Sequence, residues 1–456
     1  MTAPIASTAP LAPASRAGSV REVAQLAFPI VLTQMSQTVM HVVDSIFVGQ
    51  LGAAQLGALG FAGIWLWTVF SLFNGCATGV QTFVSQTHGA GRDAECGRWA
   101  WQGFYAVVPL TALALFGFAA VAEPLFARLG TSEALREHAL DYVRMRPIGF
   151  TGFALWIVLA AFFRGLGDTR TPLVATLIAN AVNIVLDYGL VLGRLGLPAW
   201  GIAGAGVATS IAEWVGALVM LLAFARPSLR RAYGTRPVAP DGAEIRRFLR
   251  TGAPIGGQWV LDMSAFALFT TLVARMGDAS MAATQAMISL LSLSFMQAIG
   301  IGLATTTLVG RYKGAGSLDA ALRSLVSALK LAVALALAVA ALFLLAPEAL
   351  IGLYTDDAEV LRLARPLLAL GAAFQLFDAL QIVLSGALRG AGDTRWPFVA
   401  QTLLAWALRL PLVWLFAFVW EAGVVGAWYA EFVFILVLAL ALGWRFRTGA
   451  WKEVAI

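Results

Sequence analysis

A nine-residue stretch occurs twice in this chain. Residues 164–172 read Arg-Gly-Leu-Gly-Asp-Thr-Arg-Thr-Pro, and residues 389–397 read Arg-Gly-Ala-Gly-Asp-Thr-Arg-Trp-Pro. The separation between the two copies is the same as the separation between Pro29 and Pro254. A constant separation over so long a stretch is hard to obtain by chance, and a period of this length excludes a solenoid. The sequence therefore predicts two tandem copies of one unit.

The register of the repeat then shifts by three residues. Gly201 and Gly204 correspond to Gly423 and Gly426, and the separation of these pairs is shorter than that of the nine-residue stretches. The repeat therefore continues to the end of each copy, with a small deletion in the second.

Composition assigns both copies to a membrane. Of the 456 residues, 60% are hydrophobic and 12% are charged, whereas a soluble domain carries roughly 25% charged residues. The apolar stretches are long and continuous, which indicates helices and not a β-barrel. We therefore predict an all-α membrane protein of twelve transmembrane helices in two six-helix lobes. The predicted spans are 23–48, 57–86, 98–126, 138–163, 170–193, 201–225, 248–273, 282–310, 323–351, 363–388, 395–418 and 423–446.

The positions of the basic residues predict the orientation. Most of the 31 Lys and Arg residues flank the side of the spans that holds both chain ends and the 226–247 segment. Because cytoplasmic loops carry an excess of Lys and Arg, we expect both termini in the cytoplasm of a bacterial inner membrane. The positive charge then needs no nucleic-acid partner. The predicted segments are a disordered cytoplasmic tail (1–20), a first lobe (21–225), a basic cytoplasmic linker (226–247), a second lobe (248–446) and a C-terminal cytoplasmic tail (447–456).

Polar residues inside the first lobe follow helical spacing. A carboxylate at mid-bilayer costs roughly 2.5–3.5 kcal/mol, so each one retained there is a candidate functional group. Two acids with neighbouring amide oxygens suit either a partly dehydrated Na⁺ or a shared proton. The amides could instead hold helices together, and His41 could relay a proton or only donate a hydrogen bond. The residues are Gln34, Gln37, His41 and Asp44 in the first span, and Thr176, Asn180, Asn183 and Asp187 in the fifth.

The second lobe has a different polar set. The position related to Asp44 is Phe269, so the two lobes share architecture without sharing polar chemistry. Asp262 and Asp378 could form a second coupling site or a binding pair for a cation, or either could form an ion pair with Arg409. Glu213 and Glu431 are further intramembrane acids with weaker claims to a function. The candidates in the second lobe are Gln258, Asp262, Gln375, Asp378, Gln381 and Ser385.

Two other features have structural explanations. In the repeated Arg-Gly-x-Gly-Asp-Thr-Arg-x-Pro loops, Asp or Thr can cap the next helix and Pro suits its first turn; the spacing is not that of a Walker A loop. Several aromatic residues could line a cavity for delocalised cations, or could simply pack against helices and lipid. These are Trp65, Phe70, Phe153, Trp156 and Trp259.

Several of these segments resemble the multidrug and toxic compound extrusion (MATE) family. They are the Val43-Asp-Ser-Ile-Phe-Val-Gly49 and Val84-Ser-Gln-Thr-His-Gly-Ala-Gly91 stretches, the two nine-residue loops and Gly201-Ile-Ala-Gly-Ala-Gly-Val-Ala-Thr209. The resemblance implies a V-shaped pair of lobes, alternating access, and antiport of organic cations against Na⁺ or H⁺.

The resemblance also suggests site residues. Asp44 matches the acid in the family's first span, and Asn183 with Asp187 matches the site of its DinF-like branch. Asp262 and Asp378 match acids of the NorM-like branch, so this sequence combines features of both. Accessory polar candidates are Gln37, His41, Asn180, Thr209, Gln258, Gln375 and Gln381.

We therefore expect a secondary antiporter for multidrug efflux, with small, cationic, amphipathic compounds as cargo. It would work as a monomer in the lipid bilayer, with no cofactor and no metal beyond a transported Na⁺. A related two-lobe exporter or flippase of lipid-linked or anionic substrates is the alternative, although the intramembrane acids argue against anionic cargo. A membrane enzyme would need a convergent catalytic constellation, and a receptor would show no substrate-dependent ion flux.

Overall fold

The computed structural model describes residues 17–129, 132–352 and 358–456. Most of the predicted tail, residues 1–16, lies outside these ranges. Regular secondary structure in the described chain is helical throughout. The α-helices are α1 Val20–Gly49, α2 Ala53–Gly89, α3 Cys96–Arg128, α4 Glu133–Gly165, α5 Arg170–Leu190, α6 Gly201–Phe224, α7 Pro227–Tyr233, α8 Gly242–Ala274, α9 Asp278–Gly314, α10 Leu318–Leu345, α11 Pro347–Ile351, α12 Ala358–Ala391, α13 Arg395–Leu404, α14 Leu410–Trp414 and α15 Gly423–Arg447.

Within the described ranges, twelve helical segments are long and apolar enough to cross a membrane, which confirms the predicted number. The ninth predicted span was too long. It was expected to reach residue 351, but α10 ends at Leu345 and the short α11 begins at Pro347. Ala346 has non-helical backbone angles (φ −135°, ψ 45°), as expected for a residue before proline, where the α conformation is disfavoured.

The eleventh span is irregular. Two five-residue π-helical segments, Ala405–Arg409 and Leu415–Val419, flank the short α14. Pro411 lies between them and has no backbone N–H to give to the helix. Single π-turns are rare and occur frequently at functional sites. The first of these segments places a charged residue, Arg409, at its end.

The chain folds into two compact units. Among the described residues, the first unit comprises Leu32–Gly256, and the second comprises residues 17–31 together with Gly257–Ile456. The boundaries therefore fall inside α1 and α8. The amino-terminal part of α1 belongs to the second unit, and the amino-terminal part of α8 belongs to the first.

Glycines at repeat-related positions permit this exchange. In the first unit, a side chain at Gly75 of α2 would collide with the backbone of Gly256 in α8. In the second unit, a side chain at Gly300 of α9 would collide with Val31 of α1. Both glycines therefore let two helices approach to backbone contact.

The start of α1 is packed in the core of the second unit. Val23, Ala27 and Ile30 recur at helical spacing and are buried in one apolar cluster with Ile301 and Leu308 of α9. Burial of apolar surface at roughly 25 cal/mol per Å² stabilises this association.

The predicted linker, 226–247, contains ordered structure. It includes α7 and the first turns of α8, and α3 binds the segment between them. Arg98 of α3 also pairs with Glu244 at 2.6 Å and with Asp241 at 3.3 Å. The bonds from α3 to backbone carbonyls are Trp101 Nε1 to Thr235 (3.2 Å), Gln102 Nε2 to Ala239 (3.2 Å) and Tyr105 hydroxyl to Val238 (2.8 Å).

Candidate functional site

Three helices of the first unit meet at the carboxylate of Asp44. This residue lies on α1 and is 2% exposed. Its Oδ1 accepts a hydrogen bond from Asn183 Nδ2 of α5 at 3.1 Å, and its Oδ2 lies 3.0 Å from the hydroxyl of Thr209 on α6. Both oxygens of a buried carboxylate therefore have a donor nearby, as such a group requires.

Asp187 completes the cluster next to Asn183 and Asp44. It lies one helical turn after Asn183, is fully buried and feels the charge of Asp44. Within the described chain, neither of its carboxylate oxygens nor Asn183 Oδ1 has a hydrogen-bond partner. An unpaired buried charge is very costly. These free acceptors can be satisfied by a proton or by a small hard cation, since both need oxygen lone pairs.

The other polar candidates of α1 and α5 differ in their contacts and burial. Asn180 donates 2.6 Å hydrogen bonds to the backbone carbonyl and the hydroxyl of Ser36, which links α5 to α1. Thr176 donates to the carbonyl of Pro172 in its own helix. Gln34 and Gln37 are half-buried. Ser36 was not foreseen, because a single hydroxyl in a span carries little signal.

His41 and Asp44 follow helical spacing on α1 but differ in exposure, and a role for His41 stays a prediction. His41 is exposed, whereas Asp44 is buried. Residues three apart on a helix differ by about 60° in direction at 3.6 residues per turn. That difference is enough to place the two side chains in different environments.

A second buried ionic group in the first unit was missed. Arg146 of α4 and Glu213 of α6 form a two-point salt bridge with both N–O distances at 2.8 Å. The guanidinium also lies 4.4 Å from the ring centre of Phe150. Arg146 lies within the predicted fourth span, and the structure buries it inside α4. The signal that was available was an intramembrane glutamate without an assigned cation.

In the second unit, one arginine lies between two acids. Arg409 is buried, with Nη1 3.5 Å from Asp262 Oδ1 of α8 and Nε 3.6 Å from Glu431 Oε1 of α15. Arg409 Nη2 also donates to the backbone carbonyl of Asp262 at 3.2 Å. The predicted alternative, an ion pair between Asp262 and Arg409, is therefore present. Glu431 was not expected to share it.

The other polar candidates of the second unit lie on α8 and α12. Asp378 accepts a 3.0 Å hydrogen bond from Gln381 and feels the charge of Asp262. Gln258 bonds to Gln401 and accepts from Arg389 at 2.8 Å. In the part of the chain that the structure describes, the buried side-chain amide of Gln375 and the hydroxyl of Ser385 have no hydrogen-bond partner.

The predicted cavity aromatics pack against other rings. Phe70 and Trp156 are buried, and Phe153 lies between them, with ring centres 5.2 Å and 5.8 Å away. Trp65 stacks on Phe118. Trp259 is half-buried. These contacts give Phe70, Trp156, Phe153 and Trp65 a packing role. A role in binding cargo stays a prediction for these four residues and for Trp259.

The repeated loops have diverged in their chemistry. Asp168 accepts hydrogen bonds from the backbone N–H groups of Arg170 and Thr171, so it caps α5 as predicted. Its counterpart Asp393 instead forms a 2.8 Å ion pair with Arg445 of α15.

In the described residues, twelve helices long and apolar enough to cross a membrane, in a duplicated arrangement with carboxylates held inside both units, are typical of a polytopic membrane transporter. The MatE family model matches the chain twice, at residues 29–189 and 254–415. The chain therefore belongs to the MATE family of multidrug efflux transporters. The two matches begin at the repeat-related residues Pro29 and Pro254, which confirms the predicted duplication.

Curated relatives cover nearly the whole chain. A probable multidrug resistance protein NorM of Burkholderia mallei is 32% identical over 93% of this chain and 92% of its own length. The multidrug resistance protein MdtK of Edwardsiella ictaluri is 30% identical over 94% and 95%. A probable NorM of Thermotoga maritima is 28% identical over 96% and 94%.

Solved structures share the fold. The eukaryotic MATE transporter AtDTX14 aligns with a TM-score of 0.85 at 21% identity, covering 95% of this chain and 96% of its own. An outward-facing multidrug resistance MATE family transporter aligns with a TM-score of 0.86 at 21% identity, covering 95% and 97%.

Proposed function

We propose that this protein is a secondary antiporter of a bacterial inner membrane that exports small, cationic, amphipathic compounds in exchange for Na⁺ or H⁺. The curated relatives are multidrug resistance proteins, which supports efflux as the activity. The observation that carries the coupling is the buried cluster of Asp44, Asn183, Asp187 and Thr209. It offers free oxygen acceptors, in the described chain, where a positive charge is needed.

The stability of this cluster depends on whether the coupling ion is bound. With a cation or proton bound, the charge on Asp187 is neutralised and the first unit contains no unpaired acid at this point. When the ion leaves, two carboxylates face each other with one set of donors. Differential stability of two states is what allows an ion to shift a conformational equilibrium, so loading and unloading this cluster would drive alternating access.

The second unit supports a cationic cargo. Asp262 and Glu431 both lie near the guanidinium of Arg409, and Asp378 interacts electrostatically with Asp262. Their excess of negative charge attracts organic cations and repels anions. Asp262 and Asp378 are therefore the acids that we assign to cargo, while the first-unit cluster is assigned to the coupling ion.

Transport in proteoliposomes tests this proposal. A Na⁺ gradient and a H⁺ gradient are imposed separately, and movement of a cationic dye and of an anionic dye is followed. Gradient-driven movement of the cationic dye is expected, and Asp187→Asn should abolish its dependence on the gradient. Asp278→Asn is the control, because that acid is exposed at the start of α9. Movement that ignores both gradients, or that accepts only the anionic dye, would contradict the proposal.

A further inference from the structure

Repeat-related positions of the two units carry different groups. Glu431 is the counterpart of Thr209, at the same separation that relates Gly201 of α6 to Gly423 of α15. Leu408 is the counterpart of Asn183, at the separation of the nine-residue stretches, and Arg409 is the next residue. A π-turn contains one residue more than an α-turn, and Arg409 ends such a segment. Arg409 and Glu431 therefore take the places that Asn183 and Thr209 hold in the first unit.

The replacement of Asn183 and Thr209 by Arg409 and Glu431 changes the charges at these positions. In the first unit two neutral donors face the carboxylate of Asp44. In the second unit the position related to Asp44 is Phe269, which is fully buried against Trp428. A guanidinium and a carboxylate replace the neutral donors. The second unit thus carries a covalently attached cation, the guanidinium of Arg409, where the first unit offers free oxygen acceptors to a mobile cation.

We propose that Arg409 is a tethered cation that holds Asp262 in the absence of cargo and is displaced from it by a cationic cargo, which makes Arg409 a determinant of cargo affinity. The inference rests on the proposed function, because it takes Asp262 as a cargo-binding acid. It adds an internal competitor to that site. Cargo must then bind Asp262 better than a guanidinium does.

The geometry of Arg409 suits a movable group. Its ion-pair distances to the carboxylates of Asp262 and Glu431 are 3.5 Å and 3.6 Å, whereas Arg146 and Glu213 make two contacts of 2.8 Å. Within the described residues, Arg409 Nε and Glu431 Oε1 lack hydrogen-bond partners although both side chains are buried. Arg409 therefore has unused bonding capacity toward Glu431.

Asp262 is more exposed than Glu431, so cargo would replace Arg409 at Asp262 and not at Glu431. The side chain of Asp262 is 22% exposed, and that of Glu431 is 4% exposed. An incoming cation can reach Asp262. Arg409 can then close on Glu431 and form the hydrogen bond that is missing. The ring of Phe434, 4.7 Å from the guanidinium carbon, provides a cation–π contact for it.

Binding of tetraphenylphosphonium to the purified, detergent-solubilised protein tests the inference. The variant Arg409→Gln/Glu431→Gln removes the competitor and keeps the net charge unchanged. It should bind the probe about fivefold more tightly, the upper range for an ion pair with a partly exposed partner. Glu431→Gln alone should bind more weakly than wild type, because Arg409 then has only Asp262 to hold.

Two controls make the outcome decisive. Arg146→Gln/Glu213→Gln neutralises the other buried arginine–glutamate pair and should leave the dissociation constant unchanged. In an Asp262→Asn background, Arg409→Gln/Glu431→Gln should give no gain. Equal affinities of wild type and both Glu431 variants, or a gain that persists without Asp262, would overturn the inference. Size-exclusion profiles confirm folding. If the double variant does not fold, Glu431→Gln is compared in the wild-type and Asp262→Asn backgrounds: weakening that disappears without Asp262 supports the inference, and weakening that persists overturns it.

Failure of the proposed function would be seen separately. Gradient-driven dye movement by the wild-type protein measures antiport, whereas the binding comparison requires no gradient. A protein that shows the opposite effects of the two Glu431 variants but no ion-coupled movement would support the tethered cation and contradict antiport.

Discussion

At position 209, one hydroxyl supports the carboxylate of Asp44. Thr209→Val keeps the shape of the side chain but removes the 3.0 Å contact to Asp44 Oδ2. A buried acceptor that loses its donor costs about 1–3 kcal/mol. That cost falls on the ion-free, charged carboxylate, so a proton or cation that neutralises it should bind more tightly. We therefore expect the ion concentration that gives half-maximal dye efflux to fall about tenfold, since about 1.4 kcal/mol corresponds to a factor of ten. Thr209→Ser retains the hydroxyl and should stay near wild type; equal behaviour of the two variants would argue against this contact.

The salt bridge of Arg146 and Glu213 should show strong non-additivity. Arg146→Gln strands a buried carboxylate, and breaking such a pair costs about 3–5 kcal/mol. Arg146→Gln/Glu213→Gln removes both charges and should regain much of that loss. The measurement is the midpoint of thermal unfolding in detergent for both single variants and the double variant. Additive decreases would show that the two residues act independently.

The residues of the first-unit cluster could be found from the sequence because they are polar residues in otherwise apolar helices. Asp44 and Asp187 are charged in apolar helices, and Asn183 lies one turn from the second. Arg146 was overlooked because charged residues cluster in the first turns of α4, where Lys and Arg usually mark a membrane boundary. The exposure of His41 could not be predicted, because spacing defines a face only to within about 60°.

At the scale of helices, the cap of α5 gives a local prediction. Asp168→Ala removes the acceptor for the N–H groups of Arg170 and Thr171, and loss of such a cap costs about 1 kcal/mol. We expect faster hydrogen exchange of the amides in the first turn of α5. Asp168→Asn retains a capping oxygen and should exchange more slowly than the alanine variant. Identical exchange in the two would show that the cap contributes nothing.

Helix positions followed from hydropathy, whereas helix irregularities did not. The ends of most predicted spans lie within several residues of the observed ones, because about 20 apolar residues are needed to cross a bilayer. The break at Ala346 depends on the proline that follows it, and the apolar pattern continues through it. The π-segments around Arg409 leave no trace in hydropathy, since one additional residue in a turn does not change composition. The pairing of Arg409 with Glu431 was missed for that reason.

At the scale of the whole molecule, an even number of spans predicts that both chain ends lie on one side of the membrane. The excess of Lys and Arg identifies that side as the cytoplasm. A reporter that is active only in the periplasm, fused after Ile456, should be inactive, and a cytoplasmic reporter at the same place should be active. The opposite pair of results would reverse the orientation. Fusions after Gly130, between the third and fourth spans, should give the reverse pattern and serve as the control.

The duplication could be read from the sequence, but the composition of the compact units could not. A constant separation relates glycines, prolines and two loops without saying which helices pack together. Gly75 and Gly300 are related by that separation, yet only the structure shows that Gly75 contacts α8 and Gly300 contacts α1. Which helices meet depends on side-chain packing between segments far apart in sequence, and hydropathy does not encode it.

The exchange of helix beginnings has a consequence for biosynthesis. Val23, Ala27 and Ile30 leave the ribosome early, but their packing partners Ile301 and Leu308 belong to the second copy of the unit and follow much later. At about 5–20 residues per second, the start of α1 must wait on the order of 10 s to 1 min for those partners to be translated. During that interval its apolar face is available to lipid and to the insertion machinery. The second unit therefore cannot be completed until translation is well into the second copy.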